Sequence, residues 1–587
     1  MTLPGGPPHR TYRAPIAFPR VARSYREQEA RGPSAATMDR RQFLRALGAG
    51  IGTIGLASSK RSTTPGRATS SVRQHRGTPE QAVVQKKLPS GVTIPQARWL
   101  VAENAKPGTG RWIVTGSQTL HSIEGYASRV SGVVGDEVIL FVNTSAPAFH
   151  VEVYRMGYYQ GLGGRLIDQT DTIAGQRQRA PSFTPGINMV ECQWEPSLSL
   201  TVGEHWPPGV YLFKLVGSGG EQQYIPFTVR DDTSHAAYVI QNSVTTWQAY
   251  NRWGGYSLYL QLTASGGGDY ANRSRVVSFD RPYSMGTVPW AQGAADFFGN
   301  EFPLLFHLES LGADLTYSTD IDLHTRPELL KNHRCFFSLG HDEYWSMQMR
   351  EGAREALESG TNLAFLGANA CYRQIRLDAS PVGPNRRQVC YKDAAEDPLS
   401  EKEPMLTTVN WIQPPLNRPE STLIGSMYQS VGANDPLVVT DASAWLWDGC
   451  GLSDGQALPG VVQGEYDRYV PSLPSPRNVD VFAHSPIAGQ GNWSDITYYT
   501  VQGGGGVLAS GMASFIFKLS NTTAFPTIIV PAAIPGITPI LLRAMENVYG
   551  LFGNGPASAS QPSGGNWSSI YQGASASLRT AVGSPSA

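Results

Sequence analysis

Three polar, aromatic segments of the 587-residue chain hold the residue types that can do chemistry. They are Gly340-His341-Asp342-Glu343-Tyr344-Trp345-Ser346, Gly367-Ala368-Asn369-Ala370, and the run WQAYNRWGGYSLY from Trp247 to Tyr259. Histidine and carboxylate side chains move protons near neutral pH, and tyrosine adds a hard oxygen donor. Taken singly, each residue also has a plain structural role. Glu343 can place its charge at the start of a following helix, and His341 can be a hydrogen-bonded core histidine. Tyr250 and Trp253 can be packing aromatics, and Asn369 a turn former. Clustered aromatics beside Gly254-Gly255 also suit sugar binding. Cys371 offers a thiol nucleophile with His341 as its base, although the segment Gly367-Ala368-Asn369-Ala370-Cys371-Tyr372 lacks the Gly-x-Cys-x-Gly elbow that such chemistry uses.

The elements that must position these residues follow from periodicity. From about residue 123 to 231 the pattern has period two, with strand-like runs at 137–143, 149–155, 209–216 and 222–229 and a Gly-Ser-Gly-Gly turn at 217–220. Short, evenly spaced strands broken by Gly, Pro and Asp predict an N-terminal β-sandwich over 96–232. Beyond residue 232 the rhythm becomes strand, helix, strand, with strands at 236–240, 313–318, 335–339, 362–366 and 507–510. The segment 347–358 reads as a helix capped by Ser346 and stopped by Gly360. A second helix, capped by Thr538, started by Pro539 and stopped by Gly553, carries Leu541, Met545, Val548, Tyr549 and Phe552 on one face. Alternating strands and helices predict a mostly parallel, doubly wound, flavodoxin- or amidotransferase-like sheet over 233–555. Ligands bind such sheets outside the carboxyl ends of the strands, where all three segments fall.

The strings GHDEYWS, WQAYNRWGGYSLY and FDRPY (Phe279 to Tyr283) resemble the large (beta) subunit of N,N-dimethylformamidase and its relatives. So do GYAS at Gly125, YRMGYYQGLGGR at Tyr154 and LGAN at Leu366, in the same order over roughly 120–550. The resemblance implies a mononuclear ferric centre held by Glu343, Tyr250 and Tyr283, with Tyr256 and Tyr259 close by. It places His341 and Asn369 around the metal and matches Glu465, in Gly464-Glu465-Tyr466-Asp467, to a second, non-ligand glutamate. Phenolate and carboxylate oxygens suit a hard trivalent ion, and three of them neutralise its charge. The implied activity is hydrolysis of non-peptide amide C–N bonds. The alternative is a non-catalytic cell-envelope protein that binds glycan or another ligand on the same fold.

The remaining sequence bears on location and partners. Met38 opens Asp39-Arg40-Arg41-Gln42-Phe43-Leu44-Arg45, followed by a weakly apolar stretch at 46–57, which looks like a twin-arginine export signal within residues 1–60. That stretch of 12 residues is too short to span a bilayer, and Pro531, Pro535 and Pro539 interrupt the only other strongly apolar run, so no stable membrane span is expected. Residues 61–95 read as a linker and 556–587 as a disordered tail. With 47 basic against 47 acidic residues and no basic cluster in the body of the chain, a nucleic-acid partner is excluded on charge. The expected partners are the export machinery and a small amide substrate. The chain is compatible with a homo-oligomer and says nothing about a small partner subunit. Cys371 and Cys390 are a candidate bridge, with buried free thiols the equal alternative.

Overall fold

The computed structural model describes residues 82–115, 121–264, 266–284, 293–520, 525 and 532–572. All belong to the unit Gly77–Ala587; the export signal and the linker up to residue 81 lie outside the described residues. The protein is mixed α/β, built mostly from sheets. Val83–Lys87 pairs antiparallel with Thr93–Ala97, so the final part of the expected linker is a short hairpin.

The period-two region forms two sheets. Leu198–Thr201, Glu137–Thr144 and Ile123–Ala127 make one. The second runs Ser131–Gly132, Gln222–Val229, Gly209–Gly217, Ala148–Met156 and Gly164–Gln169, with Ile173–Ala174 also paired to Ala148–Met156. Alternate residues of both contribute to one apolar cluster: Val138, Leu140 and Val142 meet Val151, Val153, Phe213, Leu215 and Phe227. Each such side chain contributes about 1.5–3 kcal/mol on leaving water, so one face of the longer strands is committed to this core.

The next sheet positions the chemistry. Its strands are β1 (Tyr238–Asn242), β2 (Leu315–Thr319), β3 (Cys335–Gly340), β4 (Asn362–Gly367), β5 (Asp480–Ile487), β6 (Asn492–Thr500) and β7 (Gly506–Ala509). Their order is β2-β1-β3-β4-β7-β6-β5. The first five are parallel; at one edge β6 runs antiparallel to β7, and β5 antiparallel to β6. The connections from β1 and β3 leave in opposite directions, which opens a crevice at the carboxyl ends of those two strands. Helix α1 (Val244–Tyr250) follows β1, α2 (Phe302–Ser310) precedes β2, α3 (Met347–Glu358) joins β3 to β4, and α4 (Thr538–Gly553) buries the predicted apolar stripe. Ser346 caps α3 by accepting from the Met349 amide at 3.3 Å. Thr538 does not cap α4: its hydroxyl accepts from the Ile534 amide and donates to the Lys518 carbonyl.

Where β3 and β4 end, the backbones touch. A Cβ on Gly367 would lie 1.4 Å from the Gly340 carbonyl oxygen, and one on Gly340 (φ 57°) would lie 2.5 Å from the Asn300 carbonyl. Only glycine allows the segments after both strands to start side by side.

Residues 556–572 of the expected tail are among those described, and they pack back on the domain. Asn566 holds the Val481 amide, the Tyr571 hydroxyl reaches the Tyr469 carbonyl, and Trp567 and Ile570 pack on the apolar cluster beneath. Three large apolar side chains suffice to dock a segment whose composition otherwise reads as disordered. Residues 573–587 lie outside the described residues. All five cysteines are free thiols, so Cys371 and Cys390 are not bridged. Among the described residues no helix is long and apolar enough to cross a membrane.

Candidate active site

Glu343 follows the tight turn after β3, and its backbone is held from both sides. Its amide donates to Thr246 Oγ1 of α1 at 2.9 Å, and its carbonyl accepts from the Tyr372 and Arg373 amides, each at 2.9 Å. The neighbouring Asp342 side chain anchors the turn by accepting from Ser338, Gln241 and the Trp345 indole. Glu343 therefore does not cap α3, a role Ser346 fills; its side chain points into the crevice side of the sheet, fully buried.

Two phenols converge on it. Tyr250, the last residue of α1, donates to Glu343 Oε2 at 2.7 Å, and Tyr259 donates to the same oxygen at 2.7 Å. The two hydroxyls are 2.9 Å apart, and the rings stack with centroids 4.4 Å apart. Gly254 and Gly255, with φ of 74° and 86°, turn the chain back so that the Leu258 amide meets the Ala249 carbonyl, which returns Tyr259 to the side of Tyr250. Arg373 adds a guanidinium, its Nε donating to Glu343 Oε1 at 2.9 Å. The Lys392 ammonium lies 3.2 Å from the centre of the Tyr259 ring and has no hydrogen-bond partner among the described residues.

On the other side of Glu343 stand the acid–base candidates. His341 Nε2 lies 3.0 Å from Glu465 Oε2 and 3.6 Å from Glu343 Oε2. His341 and Glu465 thus form a buried ion pair, and neither of these two atoms has a further hydrogen-bond partner among the described residues. Glu465 is carried by Ala457–Arg468, the long antiparallel partner of Met427–Val438. That strand is tied to the carboxyl end of β7, through Ala513 N to the Glu465 carbonyl and Asp467 N to the Gly511 carbonyl, both 3.0 Å. Asn369, just past β4 with φ 59°, donates its backbone amide to Asp467 at 2.9 Å, and its side-chain Oδ1 has no hydrogen-bond partner among the described residues. His341, Glu343, Asn369 and Glu465 thus hang from the carboxyl ends of β3, β4 and β7, and Tyr250 from the helix that follows β1.

The electrostatics are ordered by burial and by these neighbours. Burial alone would lower the His341 pKa, but Glu465 first and then Glu343 reverse this and push it up to about 9. Burial would raise Glu343, yet Arg373 and then His341 outweigh it and hold its carboxyl below the usual range. Burial, then the Glu343 charge, push both Tyr250 and Tyr259 well above the ordinary phenol range. In the metal-free protein they are therefore neutral donors to an anionic carboxylate. Turning them into phenolates needs a strong positive charge among the three oxygens.

Tyr283, expected beside Glu343, is not there. Its ring centroid lies 6.3 Å from that of Trp247, and it lines a separate cavity with Arg281 and Arg386. Tyr256 is also elsewhere, against Phe183. Tyr259 occupies the second phenol position, and the Gly-Gly reversal in WQAYNRWGGYSLY is the sequence signal that places it. Arg373 and Lys392 carried no signal, because a small sheet of Tyr344–Ser346, Arg373–Asp378, Arg387–Val389 and Val276–Ser278 brings them in from far along the chain. Burial pushes the Cys371 thiol up to about 12, away from the thiolate that a nucleophile needs. Among the described residues no group of three or more His, Cys, Asp or Glu side chains is placed to hold a metal. The hard-oxygen set of two phenols and one carboxylate is the arrangement that fits an ion here, and it fits a trivalent one.

No curated protein matches the sequence. Among solved structures, a Paenibacillus sp. cycloisomaltooligosaccharide glucanotransferase complexed with cycloisomaltoheptaose aligns at 8% identity over 68% of this chain and 69% of its own, with a TM-score of 0.16, too low to bear on fold or function. A model of the N,N-dimethylformamidase beta subunit-like family, C-terminal region, matches residues 150–525, which include Tyr250, Tyr259, His341, Glu343, Asn369 and Glu465. Since that match covers more than half of the chain, the protein belongs to the N,N-dimethylformamidase beta subunit-like family.

Proposed function

We propose that the protein is an exported, iron-dependent hydrolase of small non-peptide amides. The observation that carries this reading is the convergence of the Tyr250 and Tyr259 hydroxyls on Glu343, with the buried His341–Glu465 pair beside them. A ferric ion held by Tyr250, Tyr259 and Glu343 would polarise an amide carbonyl and acidify a water. Arg373 keeps Glu343 anionic and oriented. Glu465 Oε2, paired with His341, takes a proton from water, and His341 Nε2, between Glu465 and Glu343, returns one to the leaving amine nitrogen. The Asn369 carboxamide orients the substrate from the end of β4.

The finer fold reading goes with it. The two N-terminal sheets sharing one core are read as a β-sandwich, and the parallel order as a flavodoxin-like winding with the site at its switch point. The twin-arginine motif supports export of a chain folded around its metal, and the family's name points to assembly with a further subunit. The test is amine release from a panel of formamides and small amides by the iron-loaded protein. Glu465→Gln should lower kcat by about 10² or more while iron content stays unchanged. No turnover across the panel with iron in place, or full activity in Glu465→Gln, would refute the proposal.

A further inference from the structure

Asn369 stands in a turn whose backbone conformation is imposed by its neighbours. It has φ 59° and Cys371 has φ 50°, two non-glycine residues in the left-handed region within three positions. Such residues persist only where surrounding bonds over-determine them. Here the bonds come from two elements. The Cys371 amide donates to the Asp342 carbonyl at 2.8 Å, and the Tyr372 and Arg373 amides donate to the Glu343 carbonyl. From a separate strand, Asp467 Oδ1 accepts the Asn369 amide at 2.9 Å.

Asp467 is buried and belongs to Ala457–Arg468, the strand that carries Glu465. Side chains two positions apart on a strand share a face, so Glu465 and Asp467 lie on one side, toward His341, whose charge acts on both. The Asp467 backbone is anchored in its turn, its amide donating to the Gly511 carbonyl just past β7 at 3.0 Å. One carboxyl therefore ties the turn after β4 to the strand of the proton-transfer pair. Burial, with the Glu420 and Glu465 charges adding to it, pushes this carboxyl up to about 8 against the pull of the Asn369 amide and His341. At neutral pH it is mainly a neutral acid, so what the turn uses is an accepting oxygen and not a negative charge.

We propose that Asp467 is a positioning residue for the hydrolytic reaction: by accepting the Asn369 amide from the strand of Glu465, it fixes the Asn369 carboxamide relative to the Glu465–His341 pair. The proposal rests on the hydrolase reading. Without the Asp467 oxygen the turn at Asn369 loses its tie to that strand, whereas Tyr250, Tyr259 and Glu343 keep their contacts with one another and with Arg373. Misplacing a substrate-orienting group by about 1 Å costs roughly 10² in rate.

The test uses the full chain, iron-loaded for amine release and metal-free for amide hydrogen exchange. The variants are Asp467→Ala, Asp467→Asn, Asn369→Gly, whose glycine suits the left-handed backbone, and Asp467→Ala with Asn369→Gly. Asp467→Ala should lower kcat about 10²-fold with iron content unchanged, and Asp467→Asn, which keeps an accepting oxygen, should recover most of it. In the Asn369→Gly background Asp467→Ala should change kcat by less than about threefold, because Asp467 acts through Asn369. The Asn369 amide of the metal-free protein should exchange about tenfold faster in Asp467→Ala and at the wild-type rate in Asp467→Asn. Asp467→Ser, whose hydroxyl is too short to reach the amide, gives the same readouts if the alanine variant does not fold. Full activity in Asp467→Ala, an equal loss in Asp467→Asn, iron lost together with activity, an additive loss in the double variant, or unchanged exchange at Asn369 would overturn the proposal. No turnover in the iron-loaded wild type would instead overturn the hydrolase reading, and the role in its reaction with it, while the exchange rates still show whether Asp467 holds Asn369.

Discussion

The exchange of Tyr283 for Tyr259 beside Glu343 makes a prediction that needs no metal. Tyr259 donates to both oxygens of a carboxylate that is fully buried, at 2.5 and 2.7 Å. A hydrogen bond to a charged group contributes about 1.5–3 kcal/mol, and removing the donor leaves the acceptor without water to replace it. Tyr259→Phe keeps the stacking on Tyr250 and the Lys392 contact but removes the hydroxyl, leaving Glu343 with Tyr250 and Arg373. The expected loss in the metal-free protein is about 2 kcal/mol, roughly a 30-fold shift toward the unfolded state. The Tyr283 hydroxyl makes no hydrogen bond among the described residues, so Tyr283→Phe should cost about 0.5 kcal/mol or less. Urea unfolding of the two variants and the wild type, with chelator present, measures both. A Tyr283→Phe loss equal to or larger than that of Tyr259→Phe would refute the placement of the two phenols.

Other consequences follow from buried charges. Arg155, in YRMGYYQGLGGR, forms an ion pair with Glu309 of α2 at 2.7 Å, with both side chains 0% exposed. Glu309→Ala should therefore destabilise by about 3–5 kcal/mol in urea unfolding, because the guanidinium loses its counter-charge; a loss under about 1 kcal/mol would contradict this. Glu301 is buried beneath α1 and accepts from the Trp247 indole, and burial raises its pKa from 4.5 to about 8. The folded state then binds the extra proton, so the associated stability is present below about pH 4.5 and is lost as pH rises to about 8. Glu301→Gln should flatten that part of the stability profile, and an unchanged slope would show that Glu301 is ionised. Alkylation of the native protein should label Cys450, the one half-exposed thiol, before the four buried ones. Mass spectrometry showing Cys371 modified first would reopen the thiol reading.

Local signals were strong wherever they were short-ranged. Helix α3 begins and ends where Ser346 and Gly360 put it, because a cap hydroxyl and a left-handed glycine act on their own neighbours. The strands of both regions stand within a few residues of their expected positions, since burial of alternate or continuous apolar runs decides them. His341, Glu343 and Asn369 were legible because strand ends of a parallel sheet share one edge. Tyr259 was harder: three tyrosines lie within ten positions, and only the turn at Gly254-Gly255 selects among them. The strand carrying Glu465 shifts register at bulges along its partner, which blurs any period. Arg373 and Lys392 reach the site through pairings made only after the chain has folded. The ordered stretch 556–572 depends on Trp567, Ile570 and Tyr571 finding an existing apolar surface, which composition averages away.

The most direct test of the central claim is the iron content of the purified full-length protein, measured with its Tyr259→Phe, Tyr283→Phe and Glu343→Ala variants. A centre built from Tyr250, Tyr259 and Glu343 predicts about one iron per chain in the wild type and in Tyr283→Phe, and loss of that iron in Tyr259→Phe and Glu343→Ala. Stoichiometric iron retained in Glu343→Ala, or lost in Tyr283→Phe and kept in Tyr259→Phe, would contradict it.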